Sequence, residues 1–383
     1  MNLAFLLPEY PHPKVSAHCG GIGTSAKNLA TGLVMNAHKL TIFVYGQDKD
    51  ELFYDGLIEI HKIKHLRYPF FGWFLYRKHL QNYINEVIVA QKIQLLEAPD
   101  WTGITAFMKL KCPIVIRLHG SDAYFCKLEE RKQKLKNFIF EKCALKKAKA
   151  IISVSNYTLK ITEQIFKIKK PATVIPNGLY LKNFLEDKII ETDKNAILYF
   201  GTIIRKKGVL ELAAIFNELV IINPLAKLKL AGRDVFDSIE NKSTLQLIEA
   251  KLSQKAKQNF KYLGVVSYNE MKTIIENNTV CVFPSLAESF GMVTIEAMAL
   301  KKAIVNTNFQ WANEIMVDGE TGYLENPKNH NAFAIKINDL LKNKELRTAF
   351  GANAHNYVER HFSMEKLVIE NINFYQKIIN NDF

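Results

Sequence analysis

Short apolar runs, each followed by a turn and then by an amphipathic helical stretch, recur from one end of this chain to the other. In the first half they fall at 3–7, 40–45, 95–98, 114–118 and 150–154; in the second at 196–200, 228–231, 261–263, 280–283, 303–306 and 322–324. They are rich in β-branched and aromatic residues and lack polar alternation, which suits parallel strands covered on both faces. Strands alternating with helical segments build βαβ units and doubly wound sheets. At 383 residues the chain exceeds one ordinary core and suits two domains of roughly 100–200 residues each. The fold class expected is α/β, with two Rossmann-like doubly wound parallel-sheet domains and an interdomain cleft. Ligands of such sheets lie at the carboxyl ends of strands. The charge-rich stretch 186–195 is the expected linker, giving domains at 1–190 and 191–362, and 363–383 forms a last helix that packs back on the N-terminal one.

Composition removes several classes. Hydrophobic residues at 48% and charged residues at 23% exclude a disordered chain. No apolar run approaches the roughly 20 residues that cross a bilayer. The opening stretch, cut short by Pro8 and without a basic leader, reads as a buried strand rather than a signal peptide. Cys19, Cys112, Cys126, Cys143 and Cys281 form no C-x-x-C pair, which fits reduced thiols in a cytoplasm. The net charge of +13 is lopsided: residues 1–190 hold 28 Lys/Arg against 16 Asp/Glu, the remainder 23 against 22. The first half is therefore expected to face something anionic.

Four segments are placed for chemistry. Gly20-Gly21-Ile22-Gly23 follows the first strand and precedes a helix expected at 26–33. Such glycines let backbone amides approach a phosphate at a helix N-terminus, although a plain βα turn has the same composition. Arg117-Leu118-His119-Gly120-Ser121-Asp122 ends a strand, where His119 is set to touch a ligand and Asp122 to cap the next helix. Arg205-Lys206-Lys207 precedes a helix expected at 209–220. Cations there oppose the macrodipole at about 0.3–1 kcal/mol each when exposed, a cost that a bound diphosphate would reverse; a solvated basic loop is the alternative. In Pro284-Ser285-Leu286-Ala287-Glu288-Ser289-Phe290-Gly291-Met292-Val293-Thr294-Ile295-Glu296, Pro284 and Gly291 delay the helix to about Met292. That leaves Glu288 in the loop, Glu296 about one turn inside the helix, and the amides of Phe290, Gly291 and Met292 free for an anion or hydroxyls.

The spacing of Glu288 and Glu296 within "PSLAESFGMVTIEAMA" resembles the E-x7-E signature of retaining glycosyltransferase family 4, also called glycosyl transferases group 1. In that family's order come "GGIG" at 20–23, "RLHGSD" at 117–122, "SVS" at 153–155, "VIPNGLYLKNF" at 174–184, "YFGTIIRKKG" at 199–208, "LAGRD" at 230–234, "YLGVVSYNEM" at 262–271 and "EIMVDGETGYL" at 314–324. The resemblance spans nearly the whole chain and implies a GT-B fold and a hexosyltransferase-type enzyme acting on a nucleotide sugar, with a UDP-sugar favoured. It implies that Gly21 and Gly23 approach the donor phosphates, that His119 contacts the donor sugar, and that Lys207 pairs with the diphosphate. Glu288 would hold sugar hydroxyls and Glu296 the ribose. Ser289, Phe290, Gly291 and Met292 would complete the donor pocket, with Val265 and Val266 near the base. In the resembled family the leaving phosphate takes the acceptor's proton, so neither a metal nor a resident cofactor is expected. Two departures stand out: Thr202 occupies the place of an arginine, for which Arg205 is the candidate substitute, and Trp311 falls where the family commonly has a glycine pair.

The acceptor side is read from two stretches. Residues 68–76 hold six aromatics, followed by Arg77 and Lys78, and residues 127–149 hold nine Lys/Arg against three Glu. Aromatics flanked by cations suit a membrane interface, so Tyr68, Phe71, Trp73, Phe74, Arg77 and Lys78 are assigned to peripheral docking on an anionic membrane bearing a lipid-linked acceptor. An aromatic core helix and a solvated basic helix remain the alternatives. No nucleic-acid motif accompanies the charge. The expectation is a retaining enzyme of cell-surface glycan synthesis on the cytoplasmic face of the membrane. A nucleotide-sugar epimerase or hydrolase, or a silent sugar-nucleotide or membrane-binding protein, are its rivals.

Overall fold

The computed structural model describes residues 1–15, 20–184 and 193–382. It divides into two compact units, Met1–Tyr180 with Met364–Phe383, and Leu181–Ser363. The first begins β1 (Asn2–Leu7), α1 (Gly21–Met35), β2 (Lys39–Gln47), β3 (Glu51–Asp55), β4 (Ile58–Lys64), α2 (Gly72–Gln91), β5 (Leu95–Pro99) and β6 (Ile114–Leu118). It continues α3 (Asp122–Leu128), α4 (Leu135–Lys147), β7 (Ala150–Ser153), α5 (Asn156–Phe166) and β8 (Ala172–Val174). The sheet order is β3-β4-β2-β1-β5-β6-β7-β8, parallel except where β3 meets β4.

Both faces of this sheet are covered, which is why its central strands read as unbroken apolar runs. Leu3, Phe5 and Leu7 of β1 pack with Leu29 and Leu33 of α1, while Ala4 and Leu6 pack with Leu80, Ile84 and Ile88 of α2. Strands β3, β4 and β8 lie outside the runs expected from sequence. In β4 the apolar Ile58, Ile60 and Ile63 are interrupted by Glu59, His61 and Lys62, and the fully buried Lys62 is matched by Asp48 at 3.0 Å.

The second unit holds β9 (Asp193–Phe200), α6 (Val209–Ile222), β10 (Lys227–Ala231), β11 (Phe236–Asp237), β12 (Lys242–Ser243), α7 (Thr244–Lys251), α8 (Gln254–Gln258) and β13 (Phe260–Tyr262). There follow α9 (Tyr268–Glu276), β14 (Asn278–Phe283), α10 (Met292–Ala299), β15 (Ala303–Thr307), β16 (Tyr323–Glu325), α11 (His330–Lys342) and α12 (Lys344–Phe362). Its main sheet, β13-β10-β9-β14-β15-β16, is parallel throughout. Residues 193–195 of the expected linker open β9, and 186–192 fall outside the described residues, as does Cys19.

The last helix, α13 (Met364–Asn380), belongs to the first unit and buries Leu367, Val368, Phe374, Tyr375 and Ile378 in the α1-side cluster. Polar groups fasten it further. Arg117 of β6 bonds Glu97 of β5 through two nitrogens, at 2.7 and 3.0 Å, and Asn371 at 2.5 Å, and the Tyr375 hydroxyl donates to Glu97 at 2.6 Å. Each main sheet reverses its strand order at its centre, between β1 and β5 and between β9 and β14. Ligands of open α/β sheets bind outside the carboxyl ends of strands at such a reversal.

Candidate active site

In the second unit the loops after β9 and β14 lie together at that reversal. The Lys206 carbonyl accepts from the Leu286 and Ala287 amides at 2.8 and 3.1 Å, which brings the side chain of Lys207 directly onto the carboxylate of Glu288. Ser285 also donates to Glu288, at 3.2 Å. Glu288 thus lies in the loop and α10 starts at Met292 with no side-chain cap; the Thr294 amide donates to the Gly291 carbonyl at 3.0 Å, and the Met292 and Val293 amides ahead of it have no intrahelical acceptor. Within α10, Glu296 is 9% exposed, and burial pushes its carboxyl up to about 8. Among the described residues no side-chain hydrogen bond or ion pair reaches it.

Other residues singled out from the sequence are placed less simply. The Phe290 ring is buried and packs edge-on against Phe362 at 5.4 Å, so only its backbone is presented to a ligand. Trp311 is buried, its ring edge 3.5 Å from where a Cβ on Gly291 would sit. Ser289 and Met292 are half-buried; Val265 and Val266 follow β13, Val265 being exposed. Arg205 does not point a free guanidinium into the site: Asp237 of the β11–β12 hairpin takes its Nε and one terminal nitrogen at 2.7 and 3.2 Å. The proposed substitution for the arginine displaced by Thr202 is corrected accordingly, because a paired carboxylate already uses that fork. The cations ahead of α6 are therefore not a solvated basic loop, since Asp237 and Glu288 neutralise two of them.

In the first unit, α1 begins at Gly21, ahead of the expected 26–33. The carboxylate of Glu9, just past β1, accepts from the Gly20 and Gly23 amides, both at 2.9 Å. The amides read as a phosphate cradle thus hold a carboxylate here. His119 follows β6, half-buried; burial, then the nearby Arg117 charge, drives its pKa down to about 3, so its imidazole is neutral. Ser121, not Asp122, caps α3, accepting from the Tyr124 amide. Asp122 instead receives Arg131 at 2.9 Å and Asn137 at 3.0 Å. Among the described residues, no group of three His, Cys, Asp or Glu side chains is placed to hold a metal.

The aromatic stretch opens α2. Phe70, Phe71, Trp73 and Leu75 are exposed, while Tyr68 and Phe74 are half-buried. Arg77 is a correction: it is 7% exposed, donates to the carbonyls of Trp73 at 2.9 Å and Gly103 at 3.2 Å, and lies 4.4 Å over the Phe140 ring. Its charge serves packing between α2 and α4. Lys78 is half-buried and bonds the Phe107 carbonyl at 3.0 Å and Gln81 at 2.9 Å. No helix among the described residues is long and apolar enough to cross a membrane. Sequence reading missed Glu9, Asp100, Glu141 and Asp237; only Glu9 and Asp100, acids just past β1 and β5, carried a positional signal.

Two doubly wound parallel-sheet units, each with a central strand reversal, are the architecture of the GT-B fold. The model described as Glycosyl transferases group 1 matches residues 182–357, and that described as Glycosyltransferase Family 4 matches 19–182; the chain belongs to the group 1 glycosyltransferases. An uncharacterized glycosyltransferase of Methanocaldococcus jannaschii is 29% identical over 374 residues, 95% of each chain. The capsular polysaccharide biosynthesis glycosyltransferase CapM of Staphylococcus aureus is 31% identical over 244 residues, 60% of this chain and 61% of CapM. Among solved structures, the sucrose-phosphate synthase of Thermosynechococcus elongatus superposes with a TM-score of 0.83 at 18% identity over 100% of both chains. Anabaena HepE in complex with UDP and glucose gives 0.74 at 16% identity, over 98% of this chain and 99% of HepE. At these identities the likeness is one of fold.

Proposed function

We propose that this glycosyltransferase is a retaining hexosyltransferase. It moves a sugar from a nucleotide-diphosphate sugar, most favourably a UDP-sugar, to a glycan or lipid-linked acceptor in cell-surface polysaccharide synthesis. It uses no divalent metal and no resident cofactor. The observation that carries this reading is the Lys207–Glu288 contact beside the uncapped start of α10, with the buried Glu296 on the same helix. When a donor binds, its diphosphate takes Lys207 from Glu288, and the first-turn amides of α10 add fixed dipoles aimed at the same anion. Glu288, released, accepts from sugar hydroxyls, and Glu296 from the ribose. Lys207 then offsets the charge that develops as the nucleoside diphosphate leaves, and a phosphate oxygen takes the acceptor's proton on the same face. The neutral imidazole of His119 contacts the transferred sugar without adding charge. UDP is favoured because HepE was solved with UDP-glucose. A polysaccharide product is favoured because relatives include CapM and a lipopolysaccharide 1,2-N-acetylglucosaminetransferase of Salmonella typhimurium.

The same reading puts the chain on the inner face of an anionic cytoplasmic membrane. Phe70, Phe71 and Trp73 would enter the interface. Lys132, Lys134 and Lys136, exposed and without an ion pair among the described residues, would face lipid phosphates. The test is thermal unfolding with UDP, GDP, ADP or CDP, for the native chain and Lys207→Ala. A nucleotide at 100 times its dissociation constant stabilises by about 2.7 kcal/mol; one nucleotide should shift the native chain and not the variant. No shift with any of the four removes the donor reading. Turnover abolished by EDTA removes metal independence, and an inverted anomeric configuration, read by proton NMR of the first product, removes retention.

A further inference from the structure

Behind the loop that carries His119 sit two buried acids that the reaction scheme leaves unused. Asp100 follows β5 and is 1% exposed, while Glu141 lies on α4 and is fully buried. Asp100 Oδ1 accepts from the His119 amide at 2.9 Å. Glu141 accepts from the Asp122 amide at 2.8 Å through Oε1, from the Ala123 amide at 3.1 Å through Oε2, and from Gln133 at 3.1 Å. The elements carrying the two acids are themselves locked together. Gly103, three residues after Asp100, meets α4 so closely that a Cβ would lie 2.4 Å from the Phe140 carbonyl.

We propose that Asp100 and Glu141 are positioning residues for the transfer reaction: their carboxyl groups grip the peptide N–H groups of His119, Asp122 and Ala123 and thereby fix the orientation of the His119 imidazole. The proposal rests on the assignment of His119 to the transferred sugar. Three loop amides ending on two buried carboxyl groups, carried by separate packed elements, form a stiffer support than a turn held by its own backbone. The arrangement also has a cost that a loop of no consequence would not need. Burial pushes both carboxyls up to about 7, and Glu141 adds its charge to the effect on Asp100, whose Oδ2 finds no partner.

Histidine NMR tests the grip without any ligand. In the native chain the His119 ring signal, assigned by its loss in His119→Ala, should stay flat between about pH 5 and 8, since desolvation and the nearby Arg117 charge keep the half-buried ring neutral. In Asp100→Asn and in Glu141→Gln it should begin to titrate, with a pKa of about 5–6.5. The direction is diagnostic. Removing a nearby negative charge by itself lowers an imidazole's pKa, so a rise reports a freed, hydrated ring. A ring that stays flat in both variants overturns the proposal. Should a variant fail to fold, hydrogen exchange in the native chain decides: the amides of His119, Asp122 and Ala123 must be protected, and exchange at free-loop rates overturns the proposal.

Kinetics separates the grip from the role of His119. UDP release is measured from UDP-glucose, UDP-galactose and UDP-N-acetylglucosamine. For whichever is turned over, Glu141→Gln should lower kcat roughly 10- to 100-fold, the scale of a misplaced reacting group, with KM within about twofold. The same substitution made on His119→Ala should have almost no further effect. An equal drop on that background overturns the proposal, because the acid would then act elsewhere. Full turnover by His119→Ala overturns the sugar contact of His119 and the catalytic purpose of the grip with it. No turnover of any of the three removes the UDP-sugar reading and leaves the NMR result to decide the grip.

Discussion

Glu296→Gln converts the burial of one carboxyl into a pH dependence with a definite sign. In the folded chain burial raises that group to about 8 from an ordinary 4.5. Between these values the native state keeps a proton that the unfolded chain has lost, so stability falls as pH rises, by about 1.4 kcal/mol per unit, and levels off above the folded value. Across a window from about pH 5.5 to 7.5 this amounts to roughly 2–3 kcal/mol. Glutamine keeps the shape and cannot ionise. The stability of the variant relative to the native chain, read from urea midpoints, should therefore grow by that amount from the acid to the alkaline end of the window. Asp100 and Glu141 also titrate within the window but are common to both proteins, so they cancel in the difference. If ribose hydroxyls donate to the carboxylate, nucleotide binding near neutral pH must expel its proton. Calorimetry in two buffers of different ionisation heat would show this in the native chain and not in the variant. A variant-minus-native difference that does not change with pH would refute the reasoning, since Glu296 would then ionise as an exposed carboxyl does.

Three further substitutions bear on the framework. Arg77→Met should destabilise by about 1.5–3 kcal/mol, because it removes charged hydrogen bonds to the Trp73 and Gly103 carbonyls; vesicle sedimentation of the folded variant should match the native chain. Tyr375→Phe removes the 2.6 Å bond to Glu97 and should lower stability by about 1–3 kcal/mol in thermal melts, the range for hydrogen bonds to charged groups. Gly208→Ala would place a Cβ 1.7 Å from the Pro284 carbonyl oxygen at a φ of +67°. It should push apart the loops bearing Lys207 and Glu288, cost more than about 2 kcal/mol and abolish the nucleotide shift.

What was legible in the sequence was local. The start of α10 at Met292 followed from Pro284 and Gly291, and the central strands from runs buried on both faces. What was not legible depended on partners distant in the chain. Asp237 lies 32 residues from Arg205, and nothing in its neighbourhood marks it as that residue's acceptor. Arg77 follows an aromatic cluster and reads as an interface cation, but the face that α2 turns inward puts it on Phe140 of α4. The early start of α1 needs Glu9, 11 residues before Gly20, and no helix-propensity argument reaches that far.

The Lys207–Glu288 contact resolves a difficulty that the sequence alone posed. Three cations ahead of a helix looked costly unless an anion sat among them, and the ligand was the only anion then in view. The fold supplies its own: Asp237, in the β11–β12 hairpin, holds Arg205 through two nitrogens, whereas Glu288 holds Lys207 from a loop at the strand reversal. The two pairings differ in what a donor can do to them. Arg205 gives both bonded nitrogens to a carboxylate that is 6% exposed and that also caps the Ile239 and Glu240 amides at 3.0 Å, so releasing it would unmake local structure. Lys207 meets a single carboxylate oxygen with one flexible ammonium. A diphosphate can take that ammonium while sugar hydroxyls take the carboxylate, leaving neither charge unpaired at any stage. On the proposed function, donor binding is then an exchange of partners, in which the charge needed for the leaving group is already held, paired, in the empty protein.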